Sequence, residues 1–308
     1  MEQATGYSKP YLSKLETGGK EVKAWHIQAY DRALGGDAVQ RRALLLMGVS
    51  VVTPAVWAEL EMPTAPPQRV GVRDVAALAE SADYLTGLGL RHGGRAAVAA
   101  ARGQLRYAAS LLDLSMSDDV RRALLVTVAR LADRTAWSMA DIGQISQAHK
   151  IYEFSLSVTP DDTQRWSTLV NMADLRLAQA DPKAALRLLD RDDPRRAVLR
   201  FVVNAARAHA YAILGEYSAT LRHIDTADAS HADVDLDDLP EAVRPYASGH
   251  EAHAHAAAGK VLHALACTGS KSAAPLALAR LNMAVTAFRS DRAHAVAACR
   301  RRIESLTS

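Results

Sequence analysis

Aromatic side chains make up only 5% of this 308-residue chain, and just 3 of them are Phe. Aromatic and β-branched residues supply most strands, so their scarcity argues against a sheet. No run alternates apolar and polar residues as a half-buried strand requires. Cysteine is nearly absent too. Cys267 and Cys299 are the only 2, too few for a disulfide framework or a four-cysteine zinc site, and they read as reduced cytoplasmic thiols. The formal net charge is only +3, which excludes a diffuse polycation, so any nucleic-acid contact must be local. Phosphate loop, nucleophile elbow and recognisable paired carboxylates are all lacking. The sequence therefore offers no catalytic residues, no metal site and no cofactor, and an enzyme is not expected.

Long hydrophobic runs are missing as well. The longest, residues 43–58, is broken by Gly48, Ser50, Thr53 and Pro54. It falls short of the roughly 20 residues that cross a bilayer, so no membrane partner is expected. Arg41-Arg42 before it imitates a twin-arginine export signal. Such signals are N-terminal, whereas about 40 patterned residues come first here, so an internal helix or linker is the better reading.

What the chain has in excess is alanine, 60 residues by count, with 49% apolar residues in all. Alanine is the best helix former, so the expectation is an all-α, cytoplasmic protein with a substantial core. Composition divides it into three zones. Residues 1–39 hold half of the lysines. Residues 40–72 are apolar and then Pro-rich, as in an extended linker. Residues 73–308 are helical throughout, with Gly or Pro punctuation about every 15 to 20 residues.

The long zone repeats. Ile142-Gly143-Gln144-Ile145, with Ala148 and Tyr152 following, lies over Leu214-Gly215-Glu216-Tyr217, with Thr220 and Ile224 following. Gln179 to Leu188 lies between them, placing turns at 143, 179 and 215, a period of 36. Small residues at Ala136 and Ala148 let paired helices approach closely. Gly143 and Gly215 end the first helix of a pair, and Tyr152 and Tyr217 are expected between units. The pattern resembles tetratricopeptide repeats, antiparallel helix pairs of about 34 residues, in its Leu-Gly-x-Tyr turn, following Ala, later aromatic and closing Pro160. The copies are degenerate, and a non-repeating bundle of hairpins is the alternative. Residues 72–128 and 246–302 are expected to add further pairs, with an Asp-rich loop over 232–240.

In residues 1–18, Gly6 suits a left-handed turn, Ser8 an N-cap and Pro10 the first turn of a helix, with Leu12 and Leu15 facing inward. Lys9, Ser13 and Lys14 then point outward, and a second helix follows over 24–34. The segment resembles the helix-turn-helix of phage-repressor-like regulators of the xenobiotic-response-element family. That resemblance makes residues 9–16 a recognition helix for double-stranded DNA: Ser8 caps it, Lys9, Ser13 and Lys14 face the major groove, and Tyr11, Lys20 and Lys23 lie near phosphates. A helical cap on the repeats, its lysines merely solvated, is the other reading.

The family's first helix and half of its second would precede Met1. Either about 20 further residues are encoded upstream, or this is a shortened paralogue with impaired DNA binding. Together the features resemble a group of bacterial transcriptional regulators, which implies a homodimer and a sensing repeat domain. A non-DNA-binding scaffold for protein partners is the competing class.

A concave face lined by the first helix of each pair is the expected ligand surface. Asp133, Trp137, Asn171, Arg176, Asn204 and Arg207 are read as outward positions there, suited to clamping a peptide backbone and its carboxylate, or else as ordinary solvated residues. The histidines at 250, 253 and 255 lack the four-residue spacing of a zinc-protease motif, and His263 with Cys267 supplies only two ligands. They read as polar-face residues of an Ala-rich helix.

Overall fold

A computed structural model describes Tyr7, Ser8, Pro10, Tyr11, Lys14 and His26, and then residues 69–308 apart from 192, 238, 241, 248–250, 290 and 291. The chain divides into two compact units, Met1–Ala65 and Pro66–Ser308. The described part of the second unit is all-α. Its helices are α1 (Val72–His92), α2 (Gly94–Ser110), α3 (Asp118–Asp141), α4 (Ile145–Val158), α5 (Asp162–Ala178), α6 (Pro182–Leu189), α7 (Ala197–Ile213), α8 (Tyr217–Ala232), the single turn α9 (Arg244–Ala247), α10 (Glu251–Cys267), α11 (Ala273–Ala287) and α12 (Ala293–Thr307).

These helices stack as consecutive hairpins, α1 with α2, α3 with α4, α5 with α6, α7 with α8 and α10 with α11. The architecture is a solenoid of helical hairpins. Three of its turns are built alike. Gly143, Ala180 and Gly215 carry the only left-handed φ in their turns, at 82°, 58° and 74°. Beside them the N–H groups of Gln144, Asp181 and Glu216 each bond the carbonyl five residues back, at 2.9 Å in every case. This is the Schellman closure, which satisfies carbonyls left over at a helix end. The middle turn therefore falls one residue later than an even 36-residue spacing places it, because an alanine has taken the glycine's conformation.

The same register orders the packing. Seven residues before each left-handed position sit Ala136, Ala173 and Ala208, all at 0% exposure. Five residues after it sit Ala148, Ala185 and Thr220, also at 0%. Methyl-sized side chains on both sides of a hairpin let its helices approach. Tyr152, Leu189 and Ile224 then fill the gap to the next pair. Tyr217 does not: it is 40% exposed, and the interior place foreseen for it belongs to Ile224. Its position opens the second helix one turn too early to reach the core. Asp161 and Asp181 start α5 and α6 by accepting the N–H of Gln164 and of Ala184.

The first helices of the hairpins also touch in succession, α1 to α3, α3 to α5, α5 to α7 and α7 to α10. The last helix, α12, packs on α10 and α11 and returns to α1. The inner helices thus close into a ring among the described residues. The join is anchored where Asp141 accepts the Gly94 N–H at 2.7 Å and faces His294 of α12 at 3.2 Å. A Cβ on Gly94 would lie 2.4 Å from the Ser138 carbonyl oxygen, so this corner seats only glycine.

Nothing lies within 4 Å of a Cβ built on Gly143 or Gly215, so only backbone strain opposes a side chain there. Gly143→Ala and Gly215→Ala should each cost about 1 kcal/mol in urea unfolding, whereas Ala180→Gly should be neutral or stabilising by up to about 1 kcal/mol. An Ala180→Gly variant as destabilised as an ordinary helix-interior glycine would break the equivalence of the three turns.

Candidate functional site

Because residues 127–136 of α3 and 167–173 of α5 are buried all round, polar residues there must find partners inside. Asp133 of α3 is 0% exposed. Its carboxylate accepts from Arg134 and from the Asn171 amide, at 3.1 and 3.0 Å to its two oxygens. Asn171 in turn accepts the Tyr246 hydroxyl at 3.1 Å, and that hydroxyl lies 3.2 Å from Ser167 Oγ. Burial raises the Tyr246 pKa, so the group remains a phenol. Burial alone would lower the Arg134 pKa, but Asp133 and then Tyr246 hold it above its ordinary value. The network ties α3, α5 and α9 across residues far apart in the chain.

This changes the reading of the presumed clamp. Asp133, Asn171 and Asn204 do not face outward; all three are buried. Asn204 donates to the Arg200 carbonyl at 2.9 Å and pairs with His223 at 2.8 Å. Arg207 bonds Asp193 and the Leu189 and Arg191 carbonyls, closing the loop between α6 and α7. Arg176 contacts His149 at 2.6 Å, and Trp137 stands edge-on to His294 with ring centroids 6.2 Å apart. The six residues serve to join neighbouring helices. A face that looks outward on one helical hairpin is inward once the ring closes.

Among the described residues, two cavities lie between these helices. The smaller, about 140 Å³, lies between α1, α3, α5 and α10 beside Trp137 and Arg134. The larger, about 240 Å³, lies between α5, α7, α10 and α12. Tyr246 and His253 line both. Apolar walls in the larger one come from Val170, Phe201, Val202 and Val261, and its polar groups are Asp174, His209, Lys260 and Arg302. Lys260 donates to Asp174 at 2.9 Å, with both side chains part-exposed at the mouth. Burial tends to raise the Asp174 carboxyl, yet Lys260, then His209, more than offsets it and holds the carboxyl below its usual range. Nδ1 of His209 and Nε2 of His253 are buried without a hydrogen-bond partner. Neither the cavities nor these nitrogens were visible in the sequence, since each cavity is walled by helices far apart in the chain.

In the first unit, Pro10, Tyr11 and Lys14 are helical and Ser8 precedes them outside the helix. Tyr11 N–H bonds the Ser8 carbonyl at 2.9 Å. Ser8 and Lys14 are exposed. Tyr11 lies 2.9 Å from Nε2 of the buried His26 and stacks with Tyr7, so its hydroxyl holds two segments together. Lys9, Ser13, Lys20 and Lys23, with residues 27–68, lie outside the described residues.

The histidine run also departs from the polar-face reading. His253 lies against Phe288 inside the ring, and His255 meets Arg280 at 3.1 Å. His263 contacts Ser305 at 2.8 Å, and Cys267 lies 3.9 Å from it. Among the described residues no three His, Cys, Asp or Glu side chains group around a possible metal, and no helix is long and apolar enough to cross a membrane. No family model, curated protein or solved structure matches the chain.

Burial lowers the pKa of His209 and of His253 to about 3 from 6.5. Between those values the unfolded chain binds protons that the folded chain refuses, so stability falls as pH drops through that window. At pH 5 the loss is about 2 kcal/mol for each histidine. Urea unfolding at pH 7 and pH 5 should show it, and His209→Gln or His253→Gln should each shrink the difference by that amount. An unchanged difference would mean these rings are not held neutral by burial.

Proposed function

We propose that the chain is a DNA-binding transcriptional regulator, with residues 1–39 as the DNA-reading head and the helical solenoid as its sensing and dimerising body. The observation that carries this reading is the exposed Lys14 on a helix that begins just after Ser8, the layout expected of a recognition helix. The Tyr11–His26 contact supports it, because a recognition helix must be fixed against a second segment to enter a groove in one orientation. The solenoid resembles tetratricopeptide arrays in its repeated turn and its interlocking alanines, and such arrays commonly mediate recognition. On this reading a two-fold dimer presents paired helices to half-sites about 34 Å apart.

The alternative is a scaffold that recruits protein partners without binding DNA. One feature favours it: the polar residues of the inner face are engaged with each other, which leaves the outer surfaces for contact, among them the exposed Tyr217, Leu276 and Met283.

Gel-shift titration of the chain on the promoter region of its own gene, over a salt series, separates the two. A regulator should bind specifically, with affinity falling as salt rises. Lys14→Ala should weaken specific binding by about 1–3 kcal/mol and relax sequence preference, whereas Lys20→Ala should reduce the salt slope by about 1. Absence of specific binding by both the 308-residue chain and an upstream-extended form would leave the scaffold.

A further inference from the structure

We propose that the cavity enclosed by α5, α7, α10 and α12 is a binding site for a small organic carboxylate with an apolar body. The inference rests on the sensing role assigned to the solenoid, although it needs nothing from the DNA-reading head. Three features of the cavity define the ligand.

The first is charge. Asp174 is matched by Lys260, and Arg302 remains as a further cation on the lining. The Arg302 guanidinium donates to the Ala298 carbonyl of its own helix at 3.1 Å, and burial lowers its pKa. Among the described residues no carboxylate lies within ion-pair distance of it, and Asp174 acts only at longer range. Such a guanidinium can hold a planar anion through two parallel hydrogen bonds. A dianionic phosphate would place its second charge near Asp174, so a single carboxylate fits better.

The second is the His209 ring, which lines the cavity and which burial keeps neutral, so it adds no charge to compete with Arg302 for an anion. The third is the wall. Phe201, Val202 and Val261 offer hydrocarbon and aromatic surface and no hydrogen-bonding groups. At about 240 Å³ the space is below the roughly 300–1,000 Å³ that suits drug-sized molecules, so the body must be compact, such as a short acyl chain or a single ring. Entry is past Asp174 and Lys260, whose side chains are 45% and 32% exposed.

The site is also placed to matter. Arg302 belongs to α12, the helix that closes the ring onto α1. A carboxylate held by Arg302, with its apolar body against Phe201 and Val202, would join α12 to α7 and stabilise the closed arrangement.

The test uses the purified full chain with octanoate and 3-phenylpropionate as probes, and their primary amides as uncharged controls, by thermal shift and calorimetry. Saturable binding of at least one carboxylate below about 1 mM is expected, with its amide at least tenfold weaker. Arg302→Gln should lose at least tenfold in carboxylate affinity and bring the acid-to-amide affinity ratio close to 1. Val202→Trp, checked for helix content, should abolish binding by filling the space; if it does not fold, the Arg302→Gln comparison decides alone. No binding by either carboxylate, equal binding of acids and amides, or an Arg302→Gln variant that binds as the parent would each overturn the proposal. The readout is independent of DNA, so a failed gel shift leaves this result standing, and failed ligand binding leaves the regulator reading standing.

Discussion

Residues 127–136 of α3 and 167–173 of α5 are buried on every side, and much of the interior chemistry follows from that constraint. In an open array the first helix of each hairpin looks onto a groove filled with water, where polar side chains need no internal partner. Here α12 returns to α1 and closes the row. Asp133, at 0% exposure, has both of its carboxylate oxygens engaged by Arg134 and Asn171. Such a network is stabilising only when every member is satisfied, and removing one partner leaves a buried charge alone. Tyr246 completes it from a loop that would otherwise have no reason to lie inside.

Closure and small residues depend on each other. Alanine at the repeated positions brings the paired helices close enough for the ring to be tight, and Gly94 allows the corner that receives His294. Space that the small residues do not fill collects inside, as two cavities that share Tyr246 and His253 as lining. The larger carries a cation beyond the one that pairs Asp174, set against an apolar wall.

The helical class and the hairpin order were legible from local chemistry. Alanine content gave the helices, and Gly143 and Gly215 marked two turns because a left-handed residue is a local demand. Ala180 escaped notice for the same reason: its conformation is imposed by the hairpin, against its own preference, and displaced the middle turn by one residue. Ala148 and Tyr152 were legible as interior, whereas Tyr217 was not legible as exposed, because an aromatic carries no local sign of which turn of a helix faces the core. The candidate site was the least readable part. Asp133, Asn171 and Asn204 looked like groove residues on their own hairpins; Tyr246, 75 residues from Asn171, helps to enclose the first two, and His223 of α8 covers Asn204. At the N-terminus the short-range pattern around Ser8 and Lys14 suggested a DNA-reading helix, but the role of Tyr11 depended on His26, 15 residues away.

The closed ring is the claim on which the cavity and its chemistry stand. Native-state hydrogen exchange of the full chain, followed peptide by peptide, tests it most directly. In an open solenoid protection decays from the ends inward, with the terminal helix fraying first. In a closed ring α1 and α12 support each other, and their slowest amides should open with free energies within about 1 kcal/mol of those in α5 and α7. Exchange in α12 orders of magnitude faster than in α5 and α7, with α1 unaffected, would contradict the closure and remove the basis for the enclosed site.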